Sequence, residues 1–300
     1  MVAFRAMKIA AIRLLLGLLA RLPLPLARWL GRALGTLPIG GRRRRVASNL
    51  ALAFPEATQR QRAGLERRNR QAMMTTLIET GLLWGRSRAW LTRHWAPDEQ
   101  GAVVEEALAS GRGLLLVGGH LGHWEASILY GTLELPITYL YKPPNDPRLD
   151  RALTERRSRF GGEFVATGSA GMRRALRRLR AGEAVGLLFD QLPRGGEFVA
   201  APFFGRDVPT MTLAWRLAQR TGCEVVLGHV VRVEAGWQPR FLPLPGLAEE
   251  TDPVEAARRM NAALEAEIRA FPEQYLWRYR RFDPVSGARR RGPVASTTPR

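Results

Sequence analysis

The chain is 300 residues long, enough for one large or two small domains with a sizeable core. Hydrophobic residues at 46% and charged residues at 24% exclude a largely disordered chain, and a single cysteine, Cys223, excludes an internal disulfide and fits a reducing compartment. A formal net charge of +19, most of it arginine, points to an anionic partner: nucleic acid, membrane phospholipid, an acidic carrier protein or a phosphorylated substrate.

The N-terminal segment narrows that choice. Residues 1–39 hold no acidic side chain, and leucines alternate with Arg13, Arg21, Arg28 and Arg32. A clean spanning helix needs about 20 apolar residues without charges, and Arg13 and Arg21 interrupt this one. Pro23 and Pro25 stand where a cleaved leader would need a small-residue site. The segment therefore reads as a hydrophobic membrane-anchoring helix lying in the interface, with arginines snorkelling to phosphates. A single span with snorkelling flanks is the alternative; burial in the core would require partners for the arginines. "GRRRR", residues 41–45, then reads as a polybasic patch against an anionic leaflet.

Beyond the anchor, residues 55–85 acquire helical spacing in their second half through Met73, Met74, Leu77, Ile78 and Leu82. A short helix near 100–110 leads into an apolar strand at 114–117. Strands and helices then alternate: helix 123–132, strand 136–141, helix 147–160, strand 163–166, helix 170–181 capped by Ser169, and strand 184–189. A helix at 209–221, strands near 224–233 and 239–242 and a helix at 253–271 complete the pattern. Short apolar runs between arginine-rich amphipathic segments predict an α/β fold with a mixed, largely parallel central sheet flanked by helices. The expected organisation is an anchor at 1–39, one domain at 40–285 and a disordered basic tail at 286–300. Cys223 opens the apolar run "CEVVLGHVV" and reads as a core residue rather than a nucleophile.

The stretch "GLLLVGGHLGHWEAS" (113–127) carries the chemistry. In an open α/β sheet, active groups collect at the carboxyl ends of strands, which is where His120 falls. His120 and Glu125 are five apart, about 140° around a helix, so they could touch only if the histidine lies in the loop and the glutamate reaches back. A carboxylate on one imidazole nitrogen fixes the tautomer and leaves the other as a general base. A metal site would need a third ligand beside His120 and His123, and no Cys/His cluster supplies one. A purely structural reading makes His120 a helix cap. "TGSAGM" matches neither a serine-hydrolase elbow nor a phosphate loop.

"GGHLGHWE" resembles the His-x4-Asp/Glu signature of the lipid A biosynthesis (late lauroyl/myristoyl) acyltransferases, within the broader glycerolipid acyltransferase superfamily. "GLLFDQLPRGGEFVAAPFFG", "PTMTLAWRLAQRTGCEVV" and "PEQYLWRYRRF" match further elements in the same order, so the likeness covers most of residues 40–283. Two positions depart: His123 stands where the family commonly has Asn, and Tyr279 where it commonly has His.

The resemblance implies transfer of a fatty acyl chain from a thioester on acyl carrier protein to a hydroxyl of a lipid A precursor, with His120 as base and Glu125 as its partner. Another lipid acceptor, such as a lysophospholipid, aminolipid or glycolipid, is the alternative. No cofactor or metal is implied. The expected partners are the carrier, a phosphorylated glycolipid or phospholipid acceptor and the anionic cytoplasmic face of a bacterial inner membrane. Lys142, Arg148, Arg157 and Arg159 are candidates for phosphate contacts or oxyanion stabilisation. Asp190 and Gln191 end a strand on the rim of His120, with a turn cap as the plain reading. Phe203, Phe204 and Gly205 could line an acyl groove or pack the core. A basic nucleic-acid-binding module would explain the charge, but the chain shows no interleaved aromatic surface or recognition motif, so no nucleic acid is expected.

Overall fold

The computed structural model describes residues 16–37, 43–98, 102–193 and 197–283. The polybasic run and the C-terminal tail thus lie wholly or partly outside the described residues. A six-stranded sheet forms the centre: β1 (Leu114–Gly118), β2 (Ile137–Tyr141), β3 (Glu163–Ala166), β4 (Ala184–Leu188), β7 (Glu224–Val233) and β8 (Gly236–Pro243). Its order is β3-β2-β4-β1-β7-β8, parallel throughout except for the β7–β8 hairpin at one edge. The mixed, largely parallel sheet expected from the sequence is therefore present.

Strand periodicity sets the layers. Leu115 and Val117 of β1 face a core completed by α8 (Ser169–Arg180), α9 (Leu213–Thr221) and α10 (Pro253–Ala270). Leu114 and Leu116 face the opposite side, toward α5 (Ala102–Ala109) and α6 (Trp124–Glu134). Both faces are covered, which is why these strands are continuous apolar runs rather than alternating ones. The predicted strands and helices are in place from residue 102 to 188. The departure is at 198–211, where a separate hairpin, β5 (Phe198–Phe203) and β6 (Arg206–Met211), fills a stretch to which no element was assigned and takes the first three positions of the helix expected at 209–221. Pro202 and Pro209 are tolerated because a two-stranded ribbon leaves both strands at an edge. The helix cap also differs: Gly168, not Ser169, precedes α8.

At the N-terminal side, α1 (Leu24–Thr36), α2 (Arg43–Ala53), α3 (Gln59–Gly85), α4 (Arg88–Thr92) and later α7 (Pro147–Arg157) surround the sheet. The 27-residue α3 starts at a capping box between Thr58 and Gln61. The boundary expected at residue 39 does not separate α1 from the domain. Gly31 and Gly35 let α1 lie against α3 so closely that a Cβ on either would stand 2.5 Å or less from backbone of Thr75 or Gln71. Arg28 is buried and finds the partners that burial demands: Glu79 at 2.8 Å and the carbonyls of Val233, Glu234 and Gly236. The arginine expected to snorkel is instead a strut of the fold. Among the described residues, no helix is long and apolar enough to cross a membrane.

Candidate active site

His120 leaves the carboxyl end of β1 two residues after the last strand position. Gly119 makes this path possible, since a Cβ there would sit 2.7 Å from Leu264 and 3.2 Å from Asp190. The β1–β4 register pairs Gly118 with Leu188, so Asp190 emerges on the same rim, directly beside His120. Its carboxylate accepts from the His120 backbone N–H at 2.8 Å and meets His120 Nδ1 at 2.8 Å. The hydroxyl of Tyr275 donates to the same carboxylate at 3.2 Å. Burial alone would raise the Asp190 carboxyl, but the charge and hydrogen bonds of His120, with Arg281 behind, hold it below the ordinary carboxylate range. Nδ1 bound to a carboxylate carries the proton, which leaves Nε2 as the basic nitrogen. The amide of Gln191 lies 3.4 Å from that Nε2. The ring is braced by Tyr279, nearly parallel at 5.3 Å, and by Trp124 at 5.9 Å.

Glu125 is not the carboxylate on His120. It occupies the first turn of α6, and its two oxygens are taken by Arg157 of α7, with Nε at 3.0 Å, and by the indole of Trp84 at 3.2 Å. Asp190 already occupies Nδ1, and a buried carboxylate is better matched by a bidentate guanidinium than by a ring. The Glu125 pair in turn outweighs the burial of Arg157 and holds its guanidinium above its ordinary value. No hydrogen bond or ion pair joins His120 and Glu125 among the described residues.

His123, not His120, is the helix cap. Its Nδ1 accepts from Ala126 N–H at 3.3 Å, and its backbone N–H bonds Val230 at 2.7 Å. Gly122, at φ 67°, turns the chain close enough for that contact. Complete burial pushes the His123 imidazole down to about 3, so the ring is neutral. It lies 3.8 Å from Glu79, a wholly buried carboxylate also bonded to Arg28, Arg232 and Trp237. Burial would raise Glu79; the Arg232 and Arg28 guanidiniums draw it down.

A cavity of about 820 Å³ opens beside His120. It runs between α6 and the sheet, past Ser127, Ile128 and Gly131 on the helix and Leu116, Tyr139 and Gly228 on the strands, to Leu135 and Phe241. Trp124, Arg157, Gln191 and Tyr279 lie along it with His120, as does the exposed Lys142. The volume is that of a small-molecule site and the depth is mostly apolar.

Of the other residues singled out, Arg148 is exposed at the start of α7, outside the cavity lining. Arg159 is structural: it donates to the Leu83 carbonyl at 2.6 Å and lies over Phe160, and burial draws it down to about 10. Phe203 and Phe204 are buried in the main core, packed on Tyr275 and Trp277, and do not line the cavity. Gly205 sits at φ 67° in the β5–β6 turn, next to Phe204 at φ 51°. The turn demands that glycine; an acyl groove does not. Tyr275 and Arg281 were not singled out from the sequence, although both lie in the "PEQYLWRYRRF" stretch that carries part of the family resemblance. Among the described residues, no group of three His, Cys, Asp or Glu side chains could hold a metal ion.

The family model for bacterial lipid A biosynthesis acyltransferases matches residues 3–283. The chain is 30% identical over 279 residues to the lipid A biosynthesis palmitoleoyltransferase of Escherichia coli K12, covering 89% of this chain and 88% of that one. It is 31% identical over 277 residues to the lipid A biosynthesis lauroyltransferase of the same organism, with the same coverage. A lipid A biosynthesis acyltransferase of Haemophilus influenzae is 29% identical over 239 residues, 78% of this chain and 74% of that one. The chain is an acyltransferase and belongs to the bacterial lipid A biosynthesis acyltransferase family.

Proposed function

We propose that this protein transfers a fatty acyl chain from a thioester on acyl carrier protein to a hydroxyl of a lipid A precursor, with His120 as the general base. The observation that carries this reading is the imidazole itself: Nδ1 held by the buried Asp190, and the ring placed along a long apolar cavity. An acceptor hydroxyl is a poor nucleophile at neutral pH. Nε2 removes its proton as the oxygen attacks the thioester carbonyl, and positioned bases of this kind contribute roughly 10²–10⁴-fold. The tetrahedral intermediate collapses with cleavage of the C–S bond, and the proton passes from the imidazolium to the departing thiolate. The products are an ester and a free thiol. No covalent acyl-enzyme is needed.

Asp190 holds the tautomer and stabilises the imidazolium, the role first expected of Glu125. Glu125 acts at one remove, fixing Arg157 at the cavity, where the guanidinium and Gln191 are placed to contact the thioester oxygen or an acceptor phosphate. The acyl chain occupies the cavity. From Trp124 to Leu135 it follows eleven residues of α6 and its end, roughly 16 Å at about 1.5 Å per residue. Each methylene buried there contributes about 0.8 kcal/mol.

The membrane face of this reading is the outer side of α1 and α3. Leu26 and Trp29 of α1, Leu18 and Leu37 beside it, and Leu77 of α3 are exposed, with Trp29 60% accessible, and Arg21 and Arg32 flank them. Such a face suits the cytoplasmic leaflet of the inner membrane. The test is mass spectrometry of intact lipids from a deletion strain, with purified enzyme assayed on carrier-bound donors. A lipid A lacking one secondary acyl chain, restored by wild type and not by His120→Ala, is the expected result. Unchanged lipid A with an altered phospholipid or aminolipid would overturn the acceptor.

A further inference from the structure

Acyl transfer brings two lipids to one imidazole, and a donor chain lying along α6 uses only part of the cavity. Successive side chains of a strand point to opposite faces of its sheet. Leu116 of β1 and Tyr139 of β2 line the cavity on the α6 face, where they pack with Leu114 and Phe241. Leu140 of β2 and Leu187 of β4 line it too, yet they belong to the core on the other face, with Leu115 and Val117. Met211, the last residue of β6, and Leu213, the first of α9, complete that side. The cavity therefore straddles the carboxyl rim of the sheet. One arm runs under α6, and a second descends on the opposite face between β2, β4 and the head of α9. Gln191, 3.4 Å from His120 Nε2, follows β4 on the rim where the arms meet. Leu187 is three residues before Asp190, so at about 3.3 Å per residue the second arm reaches roughly 10 Å below the rim.

The chemistry changes from rim to depth. Lys142, Asn145, Thr167 and Gln191 bring polar groups to the rim, from the segments that follow β2, β3 and β4. Below them Leu140 and Leu187 are buried, and Met211 and Leu213 half-buried. Leucines offer no hydrogen bond and a thioether only a weak acceptor, so this arm suits hydrocarbon. A sugar, a glycerol headgroup or the amide-bearing arm of a thioester would bury polar groups there without partners. Nor does the donor fill it. A straight fatty chain with its carbonyl at His120 leaves in one direction and occupies one arm.

We infer that the second arm, lined by Leu140, Leu187, Met211 and Leu213, is an acceptor subsite that binds a hydrocarbon chain of the acceptor lipid. The chain enters from the face of the sheet opposite the donor, and the hydroxyl it carries comes to rest at the rim beside His120 Nε2. The acceptor is thus selected by the chain that bears its hydroxyl as well as by its headgroup. This rests on the lipid A reading above, and the experiment separates the two claims.

Leu213→Trp shortens the second arm, and Ile128→Trp shortens the arm under α6. Each variant is compared with wild type in two series: one donor against lipid A precursors whose hydroxyl-bearing chain is full-length or truncated, and one precursor against donors of several lengths. Each methylene displaced costs roughly fourfold in affinity. Leu213→Trp should raise the KM for the full-length acceptor about tenfold, leave that for the truncated acceptor within twofold, and keep the wild-type ranking of donors. Ile128→Trp should shift the donor ranking and leave the acceptor series as in wild type. Leu213→Ala, which deepens the second arm without adding bulk to the fold, should move the preference toward longer acceptor chains. A donor ranking shifted to shorter chains by Leu213→Trp overturns the proposal, because the second arm then holds the donor. An acceptor series unchanged in Leu213→Ala overturns it as well, and so does equal loss with full-length and truncated acceptors in Leu213→Trp. Wild type inert toward every lipid A precursor but active on a lysophospholipid is a separate failure: the acceptor reading falls and takes the subsite with it.

Discussion

Replacing Asp190 by Asn tests the site most directly, because the substitution preserves shape and removes only charge and acceptor capacity. The carboxylate faces three donors: the His120 N–H, His120 Nδ1–H and the Tyr275 hydroxyl. An amide has one oxygen, so its NH2 must meet a donor or force His120 into the other tautomer, with the proton on Nε2. That nitrogen is then no longer a base. The equivalent replacement in the serine-protease triad lowers kcat about 10⁴-fold by the same tautomer change. A fall of roughly 10³–10⁴ is expected here, about 4–5.5 kcal/mol in the barrier, with KM within a few-fold. Leaving a buried donor unpaired also costs about 1–3 kcal/mol of stability, so thermal unfolding is followed beside the kinetics. Glu125→Gln, which removes charge from the Arg157 pair, should cost far less, on the order of tenfold. The reasoning is refuted if Asp190→Asn keeps activity within tenfold of wild type while Glu125→Gln loses 10³, for then the glutamate is the partner of the base.

Three further outcomes follow from the same geometry. Ile128→Trp fills the cavity beside α6 and should shift the preferred donor to shorter chains, each excluded methylene costing about 0.8 kcal/mol, or roughly fourfold; competition between donors of several lengths reads it. Burial holds His123 at about 3 and lowers His229, so the unfolded chain binds more protons than the folded one below its own value near 6.5. Stability present above pH 6.5 is therefore lost as pH falls toward 3, with a slope of up to about 1.4 kcal/mol per pH unit for each histidine. His123→Asn, which can still cap α6, should reduce that slope in urea titrations between pH 4 and 7, and an unchanged slope would contradict the neutral-ring assignment. Trp29→Glu should weaken sedimentation with anionic vesicles while leaving kcat in detergent near wild type; equal vesicle binding would remove α1 from the membrane face.

The sequence by itself determined most of the local elements and the position of the histidine proposed as the base. Apolar runs such as "GLLLVGG" and "AVGLLFD", bounded by glycines and arginine-rich helices, specify buried strands, and the residue that leaves the first is a histidine. Sequence pattern also gave the family, because several motifs occur in one order. It misdirected the pairing. His120 and Glu125 are near in sequence, whereas the carboxylate on His120 lies 70 residues away, brought there by the parallel pairing of β1 with β4. Nothing in either segment records that the two strands are neighbours; the order of strands is set by crossovers and by burial on both faces. The same holds for Arg28, which reads as a membrane arginine until α1 is laid on α3 and Glu79 is found buried beneath it. Periodicity fixes which face a side chain is on, and only tertiary packing decides which charge it meets there.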